Sequence, residues 1–166
     1  MLENKVANSG LKVLDLEDFF PKESVVELDI SVFLWNGFVL KEKEFRADLK
    51  GYHWENYKGK IVALFCSTDA IVPQWAYMLL VTYLEPIATD IFFGNKTAVE
   101  EKAWLKAING INIDSFREER IIIKGCGKLE QSGSAFIEIS KLLKPVVKSL
   151  MFGEPCSTVP VYKKKE

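Results

Sequence analysis

Histidine is almost missing from this chain: His53 is the single imidazole among 166 residues. An imidazole-rich metal centre is therefore excluded, and any Cys–His or Ser–His catalytic pair has to use that one residue. Cysteine is scarce as well, with only Cys66, Cys126 and Cys156. An odd count with no Cys-x-x-Cys pair argues against a disulfide framework and suits a reducing compartment. Walker, Rossmann and zinc-protease motifs are all lacking. Neither charge sign is in excess, at 22 basic and 23 acidic residues. The chain thus has no global field that would draw in nucleic acid or an anionic membrane, and Lys163–Lys165 reads as a solvated tail. Long apolar runs are lacking too. The stretches around Ile61–Phe65 and Trp75–Val81 are far too short to span a bilayer. Met1–Gly10, with Glu3, Asn4, Lys5 and Asn8, does not resemble a signal peptide. The expected location is the cytoplasm, without nucleic-acid or membrane partners.

What is present is an ordinary globular mix, 48% hydrophobic and 27% charged, in a chain long enough to bury a core unaided. Two stretches read alike. Lys60–Cys66, Trp75–Pro86 and Asp90–Gly94 find counterparts in Arg120–Cys126, Ser134–Pro145 and Ser149–Gly153. Cys66/Cys126, Ala76/Ala135, Pro86/Pro145 and Gly94/Gly153 fall at nearly one spacing. Each stretch reads helix, connector, strand, loop, helix, strand. Ile61–Phe65 and Ile121–Ile123 are short β-branched runs of the kind that parallel sheets bury on both faces. Ala76, Leu80 and Leu84 recur at helical spacing, as do Ala135, Ile139 and Leu143. Pro86 and Pro145 bound those helices, because neither can donate the next backbone hydrogen bond.

The expected fold is α/β, one domain over 1–166 with a central, mostly parallel sheet flanked by helices. An internal βαβ-type duplication covers about 41–95 and 97–153. Strands within 11–30 are expected to add an antiparallel pair, making the sheet mixed at its N-terminal edge. Phe33–Leu40 is apolar but ambiguous, since Gly37 weakens a helix there.

The motifs Leu14–Asp18, Leu40–Arg46, Cys66–Met78, Lys124–Cys126 and Gly153–Tyr162 resemble an uncharacterised bacterial family, domain of unknown function 2480, over essentially the whole chain. That resemblance implies no activity and carries over no catalytic residue. Gly59–Thr68 through Gly94 is also similar to half of a STAS-type regulatory domain, where a strand enters a Ser/Thr-bearing loop at a helix start. This second resemblance implies a regulatory module working through protein contacts.

Cys66, Cys126 and Cys156 each follow an expected strand, which in a parallel sheet brings all three to the carboxyl edge. Three thiolates there could bind zinc or an iron–sulfur cluster, with His53 or Asp69 as fourth ligand. The plainer alternative is that they pack as small apolar residues. A cysteine ahead of a helix could instead act as a catalytic thiol. The loop residues Ser67, Thr68, Ser132 and Ser134 are candidates for anion binding or helix capping. Three functions follow. The first is a non-catalytic accessory or regulatory protein whose partner is another protein or a second copy as a homodimer. The second is a thiolate metal or iron–sulfur accessory protein, and the third a thiol enzyme. Catalysis is the less expected outcome, and zinc or an iron–sulfur cluster is the candidate cofactor.

Overall fold

The computed structural model describes residues 10–125 and 133–165. Among the described residues, seven strands run β1 Leu11–Asp15, β2 Val25–Asp29, β3 Ile61–Phe65, β4 Asp90–Phe93, β5 Arg120–Lys124, β6 Ser149–Glu154 and β7 Ser157–Lys163. The same residues form four α-helices, α1 Glu42–Gly51, α2 Gln74–Leu84, α3 Lys96–Asn109 and α4 Gly133–Leu143. The fold is α/β with mostly parallel sheets. The chain forms two compact units, one of Pro21–Ala103 and one of Met1–Phe20 with Trp104–Glu166, and the boundary falls within α3.

The unit Pro21–Ala103 holds a parallel sheet in the order β2-β3-β4. Ile61, Val62, Ala63 and Leu64 are all buried, as expected for a strand covered on both faces. Val62 and Leu64 pack with Phe45 and Leu49 of α1 and with Ala76, Leu80 and Leu84 of α2. Ile61 and Ala63 pack with Val25 and with Val99 and Ala103 of α3. Pro73 stands at the cap of α2, and the helix ends at Leu84, two residues before Pro86.

The other unit holds a sheet in the order β1-β5-β6-β7. Ile121, Ile123 and Leu14 pack with Ala135, Ile139 and Leu143 of α4 and with Trp104 and Ile108 of α3. Trp104 is fully buried, and its indole N–H donates to the Leu16 carbonyl at 3.0 Å, so this large ring leaves no polar atom unsatisfied.

Three expectations change. The residues form two sheets rather than one central sheet. The N-terminal strands do not pair with each other; β1 joins β5 and β2 joins β3, both in parallel. The cause is local. Each strand ends in an aspartate whose carboxylate accepts the N–H two residues on, Asp15 from Glu17 at 3.0 Å and Asp29 from Ser31 at 2.9 Å. The chain is thereby turned into a 3-10 helix, Leu16–Phe19 or Ile30–Phe33, rather than into a hairpin. Antiparallel pairing occurs at the C-terminal end instead, between β6 and β7. The last expected strand ends at Gly153, and β7 lies beyond it with Pro160 inside it. In the structure β7 is an edge strand, where proline is tolerated.

Candidate functional site

The carboxyl edge of the β2-β3-β4 sheet brings together Asp29, Ser31, Ser67, Thr68, Cys66 and Tyr77. Asp29 closes β2 beside Phe65, which closes β3. One oxygen of the Asp29 carboxylate accepts both the Ser31 N–H at 2.9 Å and the Ser67 N–H at 3.1 Å. The Ser31 and Ser67 hydroxyls lie 3.2 Å apart. Burial pushes the Asp29 carboxyl up, but the hydrogen bonds from Ser67 and Ser31 outweigh it and hold the group below the ordinary aspartate value. Tyr77 of α2 is pushed up, chiefly by burial and further by Cys66 and Asp29 beside it. The corner thus favours a fixed carboxylate and a neutral phenol.

Cys66 is half-buried. Its thiol lies 3.4 Å from the Thr68 carbonyl oxygen, to which it donates, and 3.4 Å from the Thr68 hydroxyl. The Thr68 hydroxyl in turn donates to the Gly37 carbonyl at 2.6 Å. That bond ties the loop after β3 to a tight turn. In the turn, Trp35 N–H donates to Val39 O at 2.8 Å and Val39 N–H returns to Trp35 O at 3.1 Å. Asn36 and Gly37, at φ 51° and 76°, supply the two left-handed residues that such a turn needs. The ambiguous apolar stretch therefore starts at the last residue of the 3-10 helix Ile30–Phe33 and forms a hairpin-like turn. The turn displays Trp35 at 52% exposure and Phe38 at 58%, with the Lys41 ammonium 4.5 Å from the centre of the Trp35 ring. Val32, Ile71 and Phe93, each at or just past the carboxyl end of a strand in this sheet, are exposed too.

The expected ligand residues do not gather here. Asp69 is exposed in the loop beyond Thr68. His53 is exposed ahead of the 3-10 helix Trp54–Tyr57, which leads into the amino end of β3, whereas Cys66 leaves the carboxyl end. Cys156 belongs to the other unit and is exposed in the turn between β6 and β7, not beyond the last strand. Cys126 and Ser132 lie outside the described residues. Ser134 is the second residue of α4. Among the described residues, no three His, Cys, Asp or Glu side chains gather as a metal-holding group.

In the unit of β1, β5, β6 and β7, the carboxyl edge is built differently. Lys124 closes β5 and pairs with Asp15 at 3.1 Å and Glu154 at 3.8 Å. Beside it a groove of about 550 Å³ is lined mainly by apolar residues, among them Ile123, Phe136, Met151, Phe152 and Val161. It forms where β7 widens the sheet. Phe136 and Phe152 meet edge to face at 5.6 Å, much as Tyr77 and Phe93 do at 5.5 Å in the first unit.

Sequence reasoning named Ser67 and Thr68 but missed Asp29 as their anchor, and missed Trp35 and Phe38 altogether. Two signals could have found them. Leu14-Asp-Leu-Glu-Asp-Phe19 recurs as Leu28-Asp-Ile-Ser-Val-Phe33, and Asn36-Gly37 between apolar residues is a hairpin signature.

The fold and this corner define an α/β protein with a polar sheet-edge corner flanked by displayed aromatic side chains. No described helix is long and apolar enough to cross a membrane. Over residues 1–164 the chain matches the family described as a protein of unknown function (DUF2480), and it belongs to that family. No curated protein and no solved structure matches it.

Proposed function

We propose that this chain is a cytoplasmic, non-catalytic accessory or regulatory protein that acts by binding another protein, or a second copy of itself, through the carboxyl edge of the β2-β3-β4 sheet. The observation that carries the proposal is the Trp35–Val39 turn. It holds two large exposed aromatic side chains on a backbone fixed by its own hydrogen bonds and by Thr68. Tryptophan is among the residue types that dominate binding energy at interfaces, and a preformed turn loses little entropy when a partner covers it. Cys66 supports the non-catalytic part of the proposal, because its thiol is turned onto Thr68 rather than presented beside a base. The odd cysteine count supports a reducing compartment.

The proposal also treats the chain as an internal duplication. Three pairs of features support it: the Asp15 and Asp29 caps, the Tyr77–Phe93 and Phe136–Phe152 ring pairs, and two equivalent backbone bonds. Those bonds run from Gly59 N–H to Ile87 O at 2.9 Å and from Glu118 N–H to Val146 O at 2.8 Å. On this reading one copy kept the contact turn and the other gained β7.

The test compares the wild type with a Trp35→Ser/Phe38→Ser variant. Sedimentation velocity over a concentration series reads self-association, and paired affinity capture reads a stoichiometric partner. A dimer or a partner present with the wild type and lost with the variant supports the proposal. A monomer with no variant-sensitive partner overturns it.

A further inference from the structure

The amino-terminal edge of the β5-β6-β7 sheet carries a positive cluster that makes no ion pair among the described residues, and its arrangement follows from strand register. Arg120 opens β5 opposite Ser149, which opens β6, and Ser149 in turn faces Lys163, which closes β7. Neighbouring strands are roughly 5 Å apart, so Arg120 and Lys163 flank Ser149 at roughly 10 Å from each other, within mutual reach of two long side chains. Lys148 directly precedes Ser149. These residues, with Tyr162 and the apolar Met151, line one groove of about 340 Å³.

The acids that would be expected to neutralise the cluster are engaged elsewhere. Glu118 and Glu119 immediately precede Arg120. Glu119 pairs with Lys12 at 2.9 Å, and Glu118 pairs with Lys164. Lys124, further along β5, pairs with Asp15 and Glu154. Among the described residues, Arg120, Lys148 and Lys163 form no ion pair, although Lys148 lies near enough to Glu118 to act on it electrostatically. Three like charges around a hydroxyl and a phenol repel one another unless an anion joins them. A guanidinium gives the forked donor geometry that suits a phosphoryl group, and two ammonium groups supply compensating charge.

We propose that this groove binds a phosphoryl dianion, either free phosphate or a small phosphate monoester whose organic part rests on Met151. Arg120 and Lys163 hold the anion from either side, and Ser149 offers a hydroxyl between them. The site is separate from the carboxyl-edge contact proposed above, so either proposal can fail without the other.

The test is a two-dimensional amide NMR titration of the full chain with inorganic phosphate and with phenyl phosphate, against sodium chloride at matched ionic strength. We expect saturable shifts centred on residues 120, 148, 149 and 163, weakened at least about tenfold in Arg120→Gln and in Lys163→Gln, the loss expected for one charged hydrogen-bonding group. Both side chains are exposed, and retention of the remaining spectrum shows that each variant stays folded. Tighter binding of phenyl phosphate than of phosphate identifies the monoester as the ligand class, and equal binding identifies free phosphate. Shifts that merely follow ionic strength, or that persist unchanged in both variants, overturn the proposal.

Discussion

Asp29 shows how much one side chain settles. Its carboxylate ends β2, turns the chain into a 3-10 helix and holds the loop after β3, all by accepting main-chain N–H groups. Those bonds favour the charged form, so its native pKa lies below the unfolded value of 3.8. A depressed carboxyl pKa adds stability that is present above the unfolded value and is lost as pH falls through the native one. Urea unfolding from about pH 5 to about pH 2 is therefore expected to show a steeper loss for the wild type than for Asp29→Asn, which keeps an acceptor but not the charge. Parallel curves would contradict this assignment. Gly153 is the second residue with a sharp consequence. It adopts φ 117°, and an added Cβ would lie 2.5 Å from the Ser157 carbonyl oxygen. Gly153→Ala is expected to cost about 2 kcal/mol or more, from backbone strain and a broken β6–β7 hairpin. Gly94, at φ 139°, would bring an added Cβ against side chains alone, Ala98 at 3.4 Å, Lys102 at 3.7 Å and Val99 at 3.8 Å, and Gly94→Ala is expected to cost less. Denaturant midpoints compare the two directly, and equal losses would show that the hairpin contact is not the cause.

At the scale of elements, the sequence was legible wherever burial is two-sided. Ile61–Phe65, Ile121–Ile123 and the helices bounded by Pro86 and Pro145 lie where their periodicity put them, because apolar pattern and proline act locally. Strand partners were not legible. Val13-Leu14-Asp15 and Leu28-Asp29 have the composition of an edge pair, and only the aspartate turns that follow them prevent a hairpin. β7 was not among the expected strands; Pro160 lies inside it, which its edge position makes acceptable. The candidate site was half legible. Ser67 and Thr68 stand out as loop residues before a helix, but their bonds to Asp29 and Gly37 link residues more than thirty apart in sequence. The same bonds yield a prediction for the turn. Thr68→Val keeps the shape of the side chain and removes its donor to Gly37, at an expected cost of about 1 kcal/mol. Amide exchange at Trp35 and Val39 should quicken while the core of β3 stays protected. Unchanged exchange at the turn would mean that its own two hydrogen bonds suffice.

Taken as a whole molecule, the chain combines two compact units, each with its own sheet and helices, and its ionisable groups are nearly balanced. Among the described residues, no buried side-chain polar atom lacks a hydrogen-bond partner. The unsatisfied features are on the surface: the displayed aromatic side chains at one sheet edge and the cation cluster at another. That distribution is what the proposed contact role rests on. The most direct test is sedimentation velocity and paired affinity capture with the wild type and Trp35→Ser/Phe38→Ser, after circular dichroism has shown that both are folded. We expect the wild type to form a dimer or to retain a stoichiometric protein partner, and the variant to lose it. A wild type that stays monomeric and retains no partner, or a partner held equally by the variant, would contradict the contact role assigned to this turn.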